Sequence, residues 1–376
     1  MIYLFVLLLI FVGIYQYDLN RRKPIGSQGH TLYFVIAFTL FFIAAFRYYN
    51  GGDTINYVEF FAVVPSWSDI SIYHFDVFRY PKGYIYFAAL IKELWDNFLA
   101  FQILVALFVN VVIFRFIKKF SPFLFLTTLV YFMLNYFEFN MEIMRESISV
   151  ALGLLAYECF RSKRYIRMAL LIFIAYEFHV SALVLIFMPL LALVKYSKTT
   201  FLTCVVLALI LPTLYLAIPN LELYADLIFN QEDWITESYV IQEFSDTLTS
   251  NFYVTHVLKA LIIPFASLWY IHRRHIKFEF AGMVYAYALL QLLSMFTYAF
   301  YRFANYFAPF YWIAIAYVIF ILMTQYRPLR SLLFIAVFVL LIYLYQHTQF
   351  MWDDNNLQYY YNRYIPYESV ITNQGY

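Results

Sequence analysis

The sequence predicts an all-α polytopic integral membrane protein of about 12 transmembrane helices, and three observations carry that prediction. Hydrophobic residues fill 64% of the 376 positions and charged residues only 13%, against about half and about one quarter in an ordinary soluble domain. The apolar residues gather into runs that can be counted against the ~20 residues a helix needs to cross a bilayer. The basic residues alternate from loop to loop, as orientation in a membrane demands. The same composition excludes a water-soluble enzyme, a disordered chain and a disulfide-stapled one, Cys159 and Cys204 being the two cysteines. No basic run is long enough to grip nucleic acid.

The predicted spans run over residues 2–17, 31–46, 97–114, 122–138, 144–160, 166–178, 181–194, 201–218, 254–271, 280–298, 303–323 and 331–346. The first has no positive leader and no small-residue cleavage site, and Arg21, Arg22 and Lys23 follow it, so it reads as a retained anchor. The sixth and seventh are short and meet at Glu177-Phe178-His179; they are two spans or one bent, re-entrant element. Residues 83–94 are amphipathic and too short to cross, which predicts an interfacial helix.

With the N-terminus outside, the inner loops collect 17 of the 25 basic residues: Arg21, Arg22, Lys23, Arg115, Lys118, Lys119, Arg161, Lys163, Arg164, Arg167, Lys195, Lys198, Arg273, Arg274, Lys277, Arg327 and Arg330. Only Asp18, Glu158 and Glu279 of the 23 acids lie inward. The net charge of +2 therefore conceals an inner face near +14 and an outer face near −12. A transmembrane domain, 1–346, carries outer loops at 47–96 and 219–253, and residues 347–376 form an extracytoplasmic tail. Walker, dinucleotide-glycine, H-E-x-x-H and C-x-x-C patterns are all missing from the sequence, so ATP hydrolysis, redox and zinc chemistry are unsupported and no cofactor or metal is expected.

Three of the remaining cations, Arg47, Arg145 and Arg302, fall at the outer ends of predicted spans. A single edge arginine is ordinarily a snorkelling side chain. Three on one face, each in a polar cluster, suit a different purpose: a guanidinium fork binds phosphate bidentately and keeps its charge. It also neutralises charge that builds on a departing diphosphate. In the first cluster, Arg47 to Tyr57, Gly51 and Gly52 permit a turn, and Asp53 is either an N-cap or a substrate contact. The second holds Asn135, Glu138, Asn140, Glu142, Arg145, Glu146 and Ser147. Glu142 and Arg145, three apart, pair on one helical face, or one of Glu138, Glu142 and Glu146 is a general base toward a sugar hydroxyl. His179, in Tyr176-Glu177-Phe178-His179-Val180-Ser181, shuttles a proton or satisfies carbonyls freed by a helix break. Tyr301-Arg302-Phe303-Ala304-Asn305-Tyr306-Phe307 opens the eleventh span. The many outer Tyr and Trp residues fit an interfacial belt or a sugar-stacking groove.

In order, these clusters resemble the EpsG/Wzy group of polysaccharide polymerases. The resemblance is carried by Arg47 with Gly52-x-x-x-x-Tyr57 and Asp53 inside it, by Gly83-Tyr84, and by Arg145-x-Ser147-Ile148-Ser149-Val150-Ala151. It continues in Phe178-His179-x-Ser181-Ala182-Leu183, in Arg302 with Tyr306-Phe307, and in Ile365-Pro366-Tyr367-x-Ser369. It implies a GT-C-like enzyme of the bacterial inner membrane, active on the periplasmic or outer face. Such an enzyme moves a growing glycan from one undecaprenyl diphosphate onto a lipid-linked repeat unit, giving O-antigen, capsule or exopolysaccharide. The implied partners are the lipid-linked donor and acceptor, membrane lipid, a flippase and a chain-length regulator. On this reading Arg145, Arg302, His179 and Glu142 are catalytic, and Arg47, Asp53, Tyr57, Glu138, Tyr306 and Tyr367 bind substrate. Arg145 and Arg302 hold the donor diphosphate, with Arg47 as a third contact, while His179 or an outer carboxylate deprotonates the acceptor. Three other readings of the sequence remain: an O-antigen ligase that transfers to lipid A-core, a transporter or flippase, and a non-catalytic assembly protein.

Overall fold

The computed structural model describes residues 2–20, 26–70, 80–217, 258–294, 299–326, 364 and 367–372. Among the described residues every named element is helical, and the one isolated bridge joins Arg47 to Ser369. The chain divides into two compact units, Met1–Leu155 with Ile319–Tyr376, and Ala156–Val318.

The first unit begins with α1 (Ile2–Gly13), prolonged by a π turn over Ile14–Asp18, and α2 (Ser27–Ala45). Two short helices follow, α3 (Thr54–Val63) and α4 (Lys82–Leu94). Then come α5 (Phe98–Phe120) and α6 (Leu124–Tyr131), the latter continued by π turns over Phe132–Tyr136 and Glu138–Glu142. α7 spans Met144–Arg161. α2 packs on α5 and α1, and α1 on α6. Gly13 makes that last approach close: a Cβ there would lie 2.1 Å from the Phe125 ring. The helix ends are capped by identifiable groups. Asn97 accepts from the Leu99 N–H to start α5, and buried Asp18 accepts from the Leu126 N–H in the first turn of α6, satisfying donors a helix leaves open. That accounts for one of the three inward acids.

The second unit holds α8 (Tyr165–Phe178), a 3₁₀ helix (Val180–Phe187), α9 (Met188–Leu193), α10 (Lys198–Ala217) and α11 (Ile263–Arg273). It continues with α12 (Ala281–Leu293), α13 (Ala299–Asn305) and the start of α14 (Ala308–Gln325). α12 is central, touching α9, α10, α11 and α13. Its buried Val284, Tyr285, Ala288 and Leu292 share a core with Phe265, Leu268 and Ala314.

Ser27–Ala45, Phe98–Phe120 and Ala308–Gln325 are long and apolar enough to cross a membrane, and shorter apolar helices run over Ile2–Asp18, Leu124–Tyr136, Val180–Leu193, Lys198–Leu211 and Ala281–Leu293. The helix expected at 83–94 is α4. One detail differs from the expected spans and one agrees with them. Arg302 does not open a long helix: α13 ends at Asn305 and α14 starts at Ala308. The region 166–194 is broken at His179, which is extended (φ −156°, ψ 125°). α8 rises about 21 Å at 1.5 Å per residue, short of the ~30 Å hydrocarbon core. The expected span at 331–346, the loop 219–253 and tail residues 347–363 lie outside the described residues.

Candidate functional site

Two clusters centred on arginine emerge, one in each unit. In the first unit the chain prepares Arg145 through a backbone irregularity. α6 relaxes into two π turns, and Ile143 (φ −89°, ψ 56°) interrupts the helix before α7 restarts at Met144. Arg145 thus stands in the first turn of a helix, where the macrodipole disfavours a cation. Aromatic faces offset that: the guanidinium carbon lies 4.5 Å from the Tyr80 ring centre and 6.0 Å from that of Tyr84, contacts worth about 0.5–2 kcal/mol. The guanidinium also lies near enough to the Tyr57 hydroxyl to oppose the rise that burial gives its pKa.

These rings brace one another. Tyr80 meets Phe60 edge-on at 4.4 Å, Phe60 stacks on Tyr84 at 5.3 Å, and Tyr57 meets Tyr84 at 6.2 Å. Burial raises the pKa of Tyr57, Tyr80 and Tyr84, and the charge of Asp53 adds to the rise at Tyr57 and Tyr80 while Arg145 opposes it. Asp53, at the N-cap of α3 without a side-chain capping bond, therefore acts electrostatically on the rings that hold Arg145. Two buried polar atoms here, Arg145 Nε and the Tyr84 hydroxyl, have no hydrogen-bond partner among the described residues. Buried polar atoms are normally bonded, so both are suited to meet a ligand oxygen.

The loop that carries Asp53 is keyed to the second π turn. Gly51 has φ 101°, and a Cβ there would lie 2.1 Å from the Met141 carbonyl oxygen. Thr54 Oγ1 donates to the carbonyls of Asn50 at 2.7 Å and Met141 at 3.2 Å. Irregular backbone at 138–142 is thereby tied to the start of α3, which fixes Tyr57 beside Arg145.

Arg47 is only 1% exposed, and its Nη1 donates to the Ala44 carbonyl at the end of α2, where a cation complements the dipole. Gln102 Nε2 donates to the carbonyls of Ala45 and Arg47, both at 2.9 Å. The tail segment docks alongside. The Tyr48 N–H donates to Glu368 O, the Val370 N–H to Phe46 O, and the Tyr367 hydroxyl to Ile43 O. Burial pushes the Tyr367 pKa up to about 12, while Ser369 and Arg47 pull it down.

The helical pairing of Glu142 with Arg145, expected from their spacing, does not arise. Glu142 closes a π turn and Arg145 belongs to the next helix, with Ile143 between them out of helical conformation. Glu138 lies in the same π turn and accepts a 3.4 Å contact from Asn135 Nδ2.

In the second unit, contacts between α13 and the 3₁₀ helix bring Arg302 to His179. Arg302 Nη1 lies 2.7 Å from His179 Nε2, His179 Nδ1 lies 2.5 Å from Ser181 Oγ, and Ser181 Oγ lies 3.0 Å from the Tyr306 hydroxyl. Arg302 is 9% exposed, His179 5%, Tyr306 2% and Ser181 fully buried. Tyr306 thus appears inside a polar line rather than on an open surface. Among the described residues, no three His, Cys, Asp or Glu side chains converge as a metal ion would require.

Sequence reasoning passed over Tyr80 and gave Ser181 no role. A signal for Tyr80 existed: it stands four residues before Tyr84 and just before Pro81, which precedes an amphipathic helix. For Ser181 only its proximity to His179 was visible.

The EpsG family profile matches residues 30–369. The chain belongs to the EpsG family. EpsG membership associates it with polysaccharide synthesis, and both arginine clusters lie within the EpsG-matched stretch. No curated protein and no solved structure matches the chain significantly.

Proposed function

We propose that this EpsG-family chain is a membrane glycosyltransferase that polymerises oligosaccharide repeat units carried on undecaprenyl diphosphate, on the outer face of the bacterial inner membrane. The observation that carries the reading is the Arg145 cluster: a guanidinium set over ring faces, with a carboxylate and tyrosine hydroxyls around it. Faces hold a cation by its charge and leave N–H groups to address phosphate oxygens. Arg145 in the first unit and, separately, Arg302 in the second are each suited to address the oxygens of a lipid-linked diphosphate. Stabilising charge on the departing diphosphate is the main catalytic contribution, since such groups act where charge develops. Asp53, beside Tyr57 and Tyr80, is the carboxylate suited to accept the proton of the attacking sugar hydroxyl. The new glycosidic bond forms between that oxygen and the donor's anomeric carbon as the carbon–diphosphate bond breaks.

The test is purified full-length protein with a synthetic undecaprenyl-diphosphate repeat unit, product length being read on a gel. A ladder of lengths is expected, and its loss in Arg145→Ala. An unchanged ladder in Arg145→Ala together with Arg302→Ala overturns the proposal. Transfer only onto a lipid A-core acceptor identifies a ligase instead.

A further inference from the structure

Arg302, His179, Ser181 and Tyr306 form one hydrogen-bonded line, and the direction of that line can be worked out. A guanidinium has five N–H donors and no acceptor. At 2.7 Å from Arg302 Nη1, the Nε2 atom of His179 therefore presents its lone pair. An imidazolium, or the neutral tautomer with its proton on Nε2, would set two N–H groups against each other there. The ring proton is left on Nδ1, where Ser181 Oγ accepts it at 2.5 Å. The Ser181 hydroxyl in turn bonds the Tyr306 oxygen at 3.0 Å. The main-chain N–H of Ser181 also approaches Nδ1, at 3.3 Å, and that contact calls for the opposite tautomer. It is longer and between neutral groups, so the charge-assisted bond from Arg302 decides.

We infer that His179 is a positioning residue for Arg302 rather than the proton acceptor of the reaction. As a neutral Nδ1–H imidazole it engages one donor of the guanidinium and fixes the plane in which the others are presented. Ser181, in the 3₁₀ helix, and Tyr306, in the turn between α13 and α14, hold the ring against rotation. The only lone pair a neutral imidazole offers is taken by Arg302, so the ring can accept a substrate proton only if Arg302 leaves. The purpose of this alignment rests on the lipid-diphosphate reading above; the tautomer does not.

The test uses the full chain in nanodiscs with His179→Gln and His179→Ala, and inorganic pyrophosphate as the binding probe. A glutamine Oε1 can replace Nε2 as acceptor for Arg302 but takes up no proton. His179→Ala is expected to weaken pyrophosphate binding and slow polymerisation roughly tenfold to hundredfold, the scale of a lost bond to a charged group. His179→Gln is expected to rescue most of both. Histidine labelled with ¹⁵N should show, at the resonance that His179→Gln removes, a protonated Nδ1 and a bare Nε2. Glutamine protein that binds pyrophosphate like wild type yet polymerises as poorly as the alanine protein overturns the inference, and so does a proton found on Nε2. Wild-type protein that binds pyrophosphate but makes no polymer refutes the polymerase reading. The Gln-against-Ala contrast in binding and the tautomer then decide the inference alone.

Discussion

Arg145 and Arg302 are the same residue, yet their surroundings hold them by different means. Arg145 stands in the first turn of α7, against the helix dipole, and rests on the faces of Tyr80 and Tyr84. Arg302 stands in the last turn of α13, with the dipole, and is tied at one nitrogen to His179. A ring face attracts charge without fixing direction, whereas a lone pair on a braced imidazole fixes direction and engages a donor. The contrast teaches that the first cluster should tolerate any cation of similar reach, and the second should demand the planar fork.

The largest expected effect tests that difference directly. Arg145→Ala and Arg302→Ala should each lower the polymerisation rate on the order of hundredfold, the cost of losing one group aimed at developing charge. The lysine variants should then part company. Arg145→Lys should recover much of the rate, since an ammonium also sits over a ring, and Arg302→Lys little, since it loses the fork. Equal behaviour of the two lysine variants breaks the comparison.

Next comes stability. Gly51→Ala places a Cβ at φ 101° and against the Met141 carbonyl, so it should destabilise the protein by about 1–3 kcal/mol and lower the detergent melting temperature. If melting is unchanged, the loop is not keyed to the π turn as described. A smaller effect comes from the ring itself. Tyr80→Ala should weaken pyrophosphate binding roughly two- to thirtyfold, following cation–π energies of about 0.5–2 kcal/mol, and Tyr80→Phe should restore it. Failure of phenylalanine would point to the hydroxyl rather than the face.

The shallowest effect is alkaline. Tyr57, Tyr80, Tyr84 and Tyr367 have pKa values raised above 10.0 by burial. Above pH 10 the unfolded chain releases protons that the folded chain keeps, so stability is complete below pH 10 and falls as pH rises toward the folded values. For Tyr367 the window is 10 to about 12. Melting temperatures measured across that window should fall, and Tyr367→Phe should lessen the slope.

Much of this was readable beforehand, for physical reasons. Helix type and position followed from apolar runs, so α2, α5 and α7 lie close to the expected 31–46, 97–114 and 144–160. The prominence of Arg145 and Arg302 followed from charge, because a cation at an outer helix end breaks a strong pattern, and that of His179 from its place between two short spans. What escaped were features set by backbone irregularity and long-range contact. The π turns after Tyr131, the break at Ile143 and the step between α13 and α14 leave no hydropathy signature. Tyr80 was hidden because tyrosine is common at every membrane edge, and only the fold shows which ring carries a cation.

The bond from the Glu368 N–H to Asn50 Oδ1 joins residues 318 positions apart, which gives the first unit a clock. At about 5–20 residues per second, a ribosome makes the second strand of the Arg47–Ser369 bridge roughly 15–60 s after the first. For that interval Arg47, Tyr48 and Asn50 are already made while their tail partners are not. A chain released early can build α2, α5 and the aromatic bed of Arg145, yet it lacks the segment that closes over Arg47. Completion of the first unit therefore waits on synthesis of the segment around Ser369.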